Sequence, residues 1–200
     1  MTTYNTLVTG VGGQGVLFIS EIVGMAALKE GLDVRVAEIH GMAQRGGSVT
    51  CNVRMGKRVY SPTITKGTAD LIIGLEPLEV LRLLGYAHDE TIIALNMNPI
   101  VPSSATLSGV PYPPMNEILK EISRVSKKTV TVDTTDIAVK VGNPATQNSV
   151  MLGFVSALKT LPVKHETLRT TISERSPPKY RDVNLKAFDL GSLELKKSRK

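Results

Sequence analysis

The segment Glu38-Ile-His-Gly-Met-Ala-Gln-Arg-Gly-Gly-Ser48 constrains this chain more than any other. It stands between two strand-like runs, where a doubly wound nucleotide-binding domain would place its next helix, and Gly46 and Gly47 make it a poor helix. It reads as a functional loop. Upstream, Gly10-Val-Gly-Gly-Gln-Gly15 has the spacing of a dinucleotide fingerprint. A short apolar run, Tyr4 to Thr9, leads into it as a first strand, and an apolar helical pattern leaves it from Gly13 or Gln14 to about Glu30. Gly31 is the stop signal for that helix. Asp33 to Ile39 alternates as the second strand, which makes the opening a right-handed βαβ unit.

After the loop the period shortens. Ser48-Val-Thr-Cys-Asn-Val-Arg54 alternates strictly, Met55-Gly-Lys57 reads as a turn, and Arg58-Val-Tyr60 as the return strand of a hairpin. Ala69 to Leu75 reads as a buried strand, and Pro77 starts a helix that ends near Gly85. Glu90 to Leu95 is a further strand, delivering Asn96 and Asn98 at its carboxyl end. Residues 99–114 hold five prolines and form a long irregular connection within one domain. Met115 to Val125 is an amphipathic helix, Lys128 to Val132 a strand, and Asp133 to Val141 a helix. Asn143-Pro144 opens a buried helix, and Ser176-Pro-Pro178 opens the last one, ended by Gly191. The expected fold is α/β: a single Rossmann-like three-layer domain over 1–195, with a mostly parallel sheet and an inserted β-hairpin. Residues 196–200 form a basic C-terminal tail.

Composition excludes several classes of function. The net charge is +6, but Lys196, Lys197, Arg199 and Lys200 supply four of those charges, so the body is close to neutral. With no Trp and 4% aromatics there is little on which to stack bases, so no nucleic-acid partner is expected. Cys51 is the only cysteine, which rules out an intrachain disulfide and any cluster that needs several thiolates from this chain. No apolar run reaches the ~18 residues of a membrane span, so a soluble, cytoplasmic protein without a membrane partner is expected.

The chemistry points to an anion. Glycines at Gly10, Gly12, Gly13 and Gly15, with Gln14 among them, let the backbone turn tightly and bring N–H groups to a bound phosphate or carboxylate at a helix N-terminus. The same glycines also permit close packing alone. Glu38 lies where a ribose-binding acid belongs, yet the hairpin breaks the fold that a nicotinamide cofactor requires. No Gly-Lys-Ser/Thr follows, which excludes a P-loop. His40, Gln44 and Arg45 fall at the carboxyl end of the second strand, the edge where ligands of open α/β sheets collect. Arg45 has the geometry to clamp an anion, with Gly46 and Gly47 admitting it to the backbone. Glu76 ends a central strand at the same edge. His40, Gln44, Arg45 and Glu76 are the catalytic candidates, and no metal is expected, since no second His or Cys stands near His40.

These residues resemble a known family. Gly10-Val-Gly-Gly-Gln-Gly-Val16, Glu38 through Val49, Ser61-Pro62, Ala69-Asp70, Gly74-Leu-Glu-Pro-Leu-Glu79, Gly142-Asn143, Asn148 to Gly153 and Asn184 to Gly191 look like the gamma-type domain of 2-oxoacid:ferredoxin oxidoreductases. The long loop is most similar to that of the small subunit in the indolepyruvate branch. The resemblance covers nearly the whole chain. It implies oxidative decarboxylation of an aryl 2-oxoacid, with coenzyme A as cosubstrate taking the acyl group and ferredoxin two electrons. It further implies a large (alpha) partner subunit holding thiamine diphosphate and iron–sulfur clusters, this chain being inactive alone. Gly10, Gly12, Gly13, Gln14, Gly15, Arg45, Gly46 and Gly47 are carried over as the residues that contact a cofactor, coenzyme A or the partner. The rival readings are a free-standing NAD(P)-binding oxidoreductase and a non-catalytic interaction module.

Overall fold

The computed structural model describes residues 3–41, 46–100 and 111–198. β1 (Tyr4–Val11) enters the glycine turn, followed by α1 (Val16–Lys29) and β2 (Asp33–His40). Then come β3 (Ser48–Gly56), β4 (Leu71–Gly74), α2 (Pro77–Arg82), β5 (Ile92–Asn96), α3 (Met115–Val125), β6 (Lys128–Val132) and α4 (Thr134–Val141). Three helices close the chain: α5 (Gln147–Leu158), α6 (His165–Arg175) and α7 (Pro178–Ser198).

The strands form one sheet in the order β2-β3-β1-β4-β5-β6. β1, β4, β5 and β6 are parallel, whereas β3 is antiparallel to β1 on one side and to β2 on the other. Alternation along each strand sorts side chains to two faces. Val8, Cys51, Val53, Met55, Leu71, Ile73 and Ala94 pack with α1, α4, α5, α6 and α7. Leu7, Ile72, Ile93 and Leu95 pack with Val80 of α2 and with Ile118 and Ile122 of α3. Three layers result, with a core on each side of the sheet.

Three expectations need correction. β1 and β2 run the same way but are not neighbours, because β3 lies between them and bonds to both. The hairpin is therefore β2–β3, built into the sheet. Arg58-Val-Tyr60 is not its return strand: Val59 N–H donates to the Asp33 carboxylate at 2.8 Å, and Arg58 lies over the ring of the exposed Tyr60. Gly191 does not end the last helix, which runs on to Ser198. Its lack of a side chain serves contact instead, since a Cβ there would lie 2.1 Å from the Val150 carbonyl oxygen. Gly153 plays the same part from α5, where a Cβ would meet the Phe188 carbonyl oxygen at 1.9 Å. The α6 helix was not anticipated. Part of the expected irregular connection, 101–110, lies outside the described residues.

Two substitutions test this packing. Gly191→Ala forces α5 and α7 apart and should cost about 3 kcal/mol, at the upper end of overpacking penalties. Lys159 follows α5 at φ 56°, the left-handed region that helix ends usually give to glycine. Lys159→Gly should therefore raise stability by about 0.5–1 kcal/mol. Urea unfolding checks both, as midpoint shifts at constant slope.

Candidate functional site

The carboxyl ends of β1, β4 and β5 and the starts of α1, α4 and α5 surround a cleft of about 340 Å³. One wall is the glycine turn. Gly15 adopts φ 82°, and a Cβ added there would sit 2.0 Å from Asn148 Nδ2. Any other residue at this position would meet both backbone strain and a clash. The glycine thus lets the first turn of α5 pack against the start of α1. Two helix N-termini converge on one cleft, each with backbone N–H groups that lack an intrahelical partner.

The side chains around the cleft are uncharged, and the side-chain oxygens of Gln14, Asn96 and Gln147 are engaged. Gln14 Oε1 accepts the Val11 N–H at 2.8 Å, and its Nε2 donates to the Leu75 carbonyl at 2.9 Å. Gln14 thereby ties the glycine turn to the end of β4. Asn96 Nδ2 donates to the same carbonyl at 3.0 Å, while its Oδ1 accepts the backbone N–H and hydroxyl of Thr134. Gln147 Oε1 accepts the Thr135 hydroxyl at 3.3 Å. The NH₂ group of Gln147 and the whole side-chain amide of Asn148 have no partner among the described residues and line the cleft. What the site offers a ligand is amide N–H donors, one unengaged amide oxygen and no carboxylate, a setting that suits phosphate, carboxylate or carbonyl oxygen.

The structure brings both glycine motifs together. Gly12 N–H donates to the Gly47 carbonyl at 2.8 Å, and Gly46 N–H donates to the Gly12 carbonyl at 3.3 Å. The loop after β2 is thereby fastened to the rim of the cleft. Gly10 lies within β1, opposite Val49, and Gly13 lines the cleft. Gln44 and Arg45 lie outside the described residues. His40 is exposed at the end of β2, opposite Val49 of β3.

Glu38 and Glu76 lie elsewhere in the chemistry. Glu38 is opposite Cys51 on β3 and lines a groove against α1, one strand farther from the glycine turn than a ribose-binding acid would be. Glu76 is 1% exposed and caps α2 by accepting the Glu79 N–H at 2.9 Å. Its other oxygen accepts the Tyr112 hydroxyl at 2.6 Å and the Ile100 N–H at 3.3 Å. Burial, with the Glu76 carboxylate beside it, holds the Tyr112 hydroxyl protonated well above the usual tyrosine range. Glu76 thus anchors Ile100, which lines the cleft, and does not itself reach into it. Cys51 is buried, and burial pushes its thiol up, away from the reactive thiolate.

The profile of pyruvate ferredoxin/flavodoxin oxidoreductases matches residues 5–194. The chain belongs to this family. It is 40% identical over 192 residues to the indolepyruvate oxidoreductase subunit IorB of Pyrococcus horikoshii, covering 96% of this chain and 95% of that one. The fold is that of the keto/oxoacid ferredoxin oxidoreductase gamma subunit of Geobacter sulfurreducens, with a TM-score of 0.71 at 21% identity over 97% and 99% of the two chains. It also matches the 2-oxoglutarate:ferredoxin oxidoreductase of Magnetococcus marinus, solved with 2-oxoglutarate, coenzyme A and succinyl-CoA bound. That match has a TM-score of 0.75 at 18% identity and covers 98% of this chain but 32% of the other, so there the fold is one part of a longer polypeptide.

Membership accounts for an α/β fold of the nucleotide-binding kind without a dinucleotide arrangement. The polar side chains missed as site residues, Thr134, Gln147 and Asn148, sit at helix starts just beyond strand ends. That position was the available signal, together with Asn96 at the end of β5. Gln14 is the most consequential single side chain, because removing it leaves the Val11 N–H without its acceptor and Leu75 with one donor fewer. Gln14→Ala should cost about 2 kcal/mol in urea unfolding while leaving the sheet intact by far-UV circular dichroism.

Proposed function

We propose that this chain is the small subunit of a ferredoxin-dependent indolepyruvate (aryl 2-oxoacid) oxidoreductase. On this reading its carboxyl-edge cleft completes an active site formed mainly by a large (alpha) subunit. The observation that carries the proposal is the uncharged, amide-lined cleft between two helix N-termini, on a chain of this family. Such a cleft suits an anionic group of coenzyme A, and the loop fastened to its rim suits contact with that group or with the large subunit. The substrate class follows the indolepyruvate relatives that match over nearly the full length.

Thiamine diphosphate and the iron–sulfur clusters fit the large subunit and not this one. A cluster on thiolates needs several cysteines, and the one here is buried. Among the described residues no three His, Cys, Asp or Glu side chains gather as a metal site. Thiamine diphosphate bound in the partner would supply the carbanion chemistry of decarboxylation, and the clusters the one-electron path to ferredoxin. On this reading the residues of this chain orient the anion: unpartnered backbone N–H groups of the glycine turn, Gln147 Nε2 and Asn148 Nδ2 donate to it. Among the described residues no helix is long and apolar enough to cross a membrane. The NAD(P) reading loses its basis once β3 occupies the place beside β1 that the second strand of a dinucleotide fold would take.

Reconstitution with and without the large subunit tests this. The complex should reduce ferredoxin in the presence of indolepyruvate and coenzyme A, and neither chain alone should do so. Asn148→Asp places a carboxylate among the donors and should raise the KM for coenzyme A at least about tenfold with little change in folding. Arg45→Ala should weaken coenzyme A use or subunit docking. Full turnover by both variant complexes would remove the cleft from the reaction, and activity of the isolated chain with a nicotinamide cofactor would overturn the assignment.

A further inference from the structure

A second cavity, of about 650 Å³, opens at the opposite end of α5, lined in part by Ser156, Lys159, Lys164, His165 and Leu195. The twelve residues of α5 separate it from the carboxyl-edge cleft by about 18 Å of helix. The neighbouring Thr160 bonds to Tyr4 at the first residue of β1, which places the cavity at the amino end of the sheet.

Several independent features meet there. Ser156 is 8% exposed, and its hydroxyl donates to the Gly153 carbonyl at 2.7 Å. That hydroxyl has a single proton, so the 2.9 Å contact between Ser156 Oγ and His165 Nδ1 is closed by a proton on Nδ1. His165 is also the first residue of α6. The ring packs against Phe188 with centroids 4.9 Å apart. Nε2 is thus left as a hydrogen-bond acceptor in an apolar setting.

Lys159 is the one non-glycine residue with positive φ among the described residues, and its ammonium has no partner among them. A strained backbone that presents an unpaired cation to a cavity is the kind of outlier that marks a binding site. Lys164 stands beside it, 3.5 Å from Glu30 and largely exposed. Leu161, Val163 and Leu195 give apolar walls.

We propose that this cavity binds a small organic carboxylate with an apolar body. The carboxylate lies at Lys159 and Lys164, the apolar body lies against Leu161, Val163 and Leu195, and a hydroxyl or N–H at its far end donates to His165 Nε2. The site is separate from the carboxyl-edge cleft and does not depend on the activity assigned to it.

Calorimetric titration of the full chain with 4-hydroxyphenylacetate and with phenylacetate tests the proposal. Both should bind saturably at one site, the hydroxylated probe several-fold tighter, and His165→Phe should abolish that difference. Lys159→Gly should weaken both probes about tenfold even though it raises the urea midpoint, so the loss cannot be ascribed to unfolding. Absence of saturable binding by the wild-type chain overturns the proposal, as does equal affinity in wild type and Lys159→Gly.

Discussion

The placement of β3 decides most of what this molecule can do. Hydrogen-bonded along both edges, β3 separates β2 from β1 by two strand spacings, about 10 Å. In a dinucleotide-binding fold the acid at the end of the second strand reaches a ribose held at the glycine turn, and that reach is lost here. In exchange, Gly46 and Gly47, just ahead of β3, bond through their backbone to Gly12 of the glycine turn. One antiparallel strand therefore converts a nucleotide fold into a scaffold that presents two glycine loops at one edge. Belonging to the pyruvate ferredoxin/flavodoxin oxidoreductase family is consistent with that change.

The cleft owes its polar character to the amide groups around it. Gln14 and Asn96 turn their oxygens inward to Val11 and Thr134 and share the Leu75 carbonyl between their NH₂ groups. This arrangement stitches β1, β4, β5 and the start of α4 together. It also occupies the side-chain oxygens of Gln14 and Asn96, which are therefore not offered to the cavity. A neutral, amide-lined receptor holds an anion without the desolvation cost of a buried lysine or arginine. It also leaves room for charge brought by another subunit.

Much of this was legible in the sequence, for physical reasons that can be named. The strand-to-helix glycine turn, the parallel strands after it and the Asp133 and Asn143 caps follow from local chemistry: apolar period, capping side chains and proline at first helical positions. The position of β3 was not legible, because alternation identifies a strand but not its partners; Arg58–Tyr60 was the nearer candidate, whereas β1 is distant in sequence, its last residue Val11 pairing with Ser48. Gly191 misled for a similar reason. A glycine in a helix signals a stop locally, but here it answers to the Val150 carbonyl of another helix. α6 escaped notice because its buried side, Leu168, Thr171 and Ile172, is short and partly polar. Around the cleft, the glycine turn and Gln14 were readable, whereas the place of Gln147 and Asn148 depends on the packing of α5 against Gly15.

The central claim is that the cleft between the starts of α1 and α5 receives an anionic group of coenzyme A inside a larger complex. Hydrogen–deuterium exchange on the assembled complex, with and without coenzyme A, addresses it most directly. The account predicts that added coenzyme A slows exchange at the amides of 12–17 and 147–150 and leaves the far end of α5 unchanged. Unaltered exchange in both segments under saturating coenzyme A would contradict it.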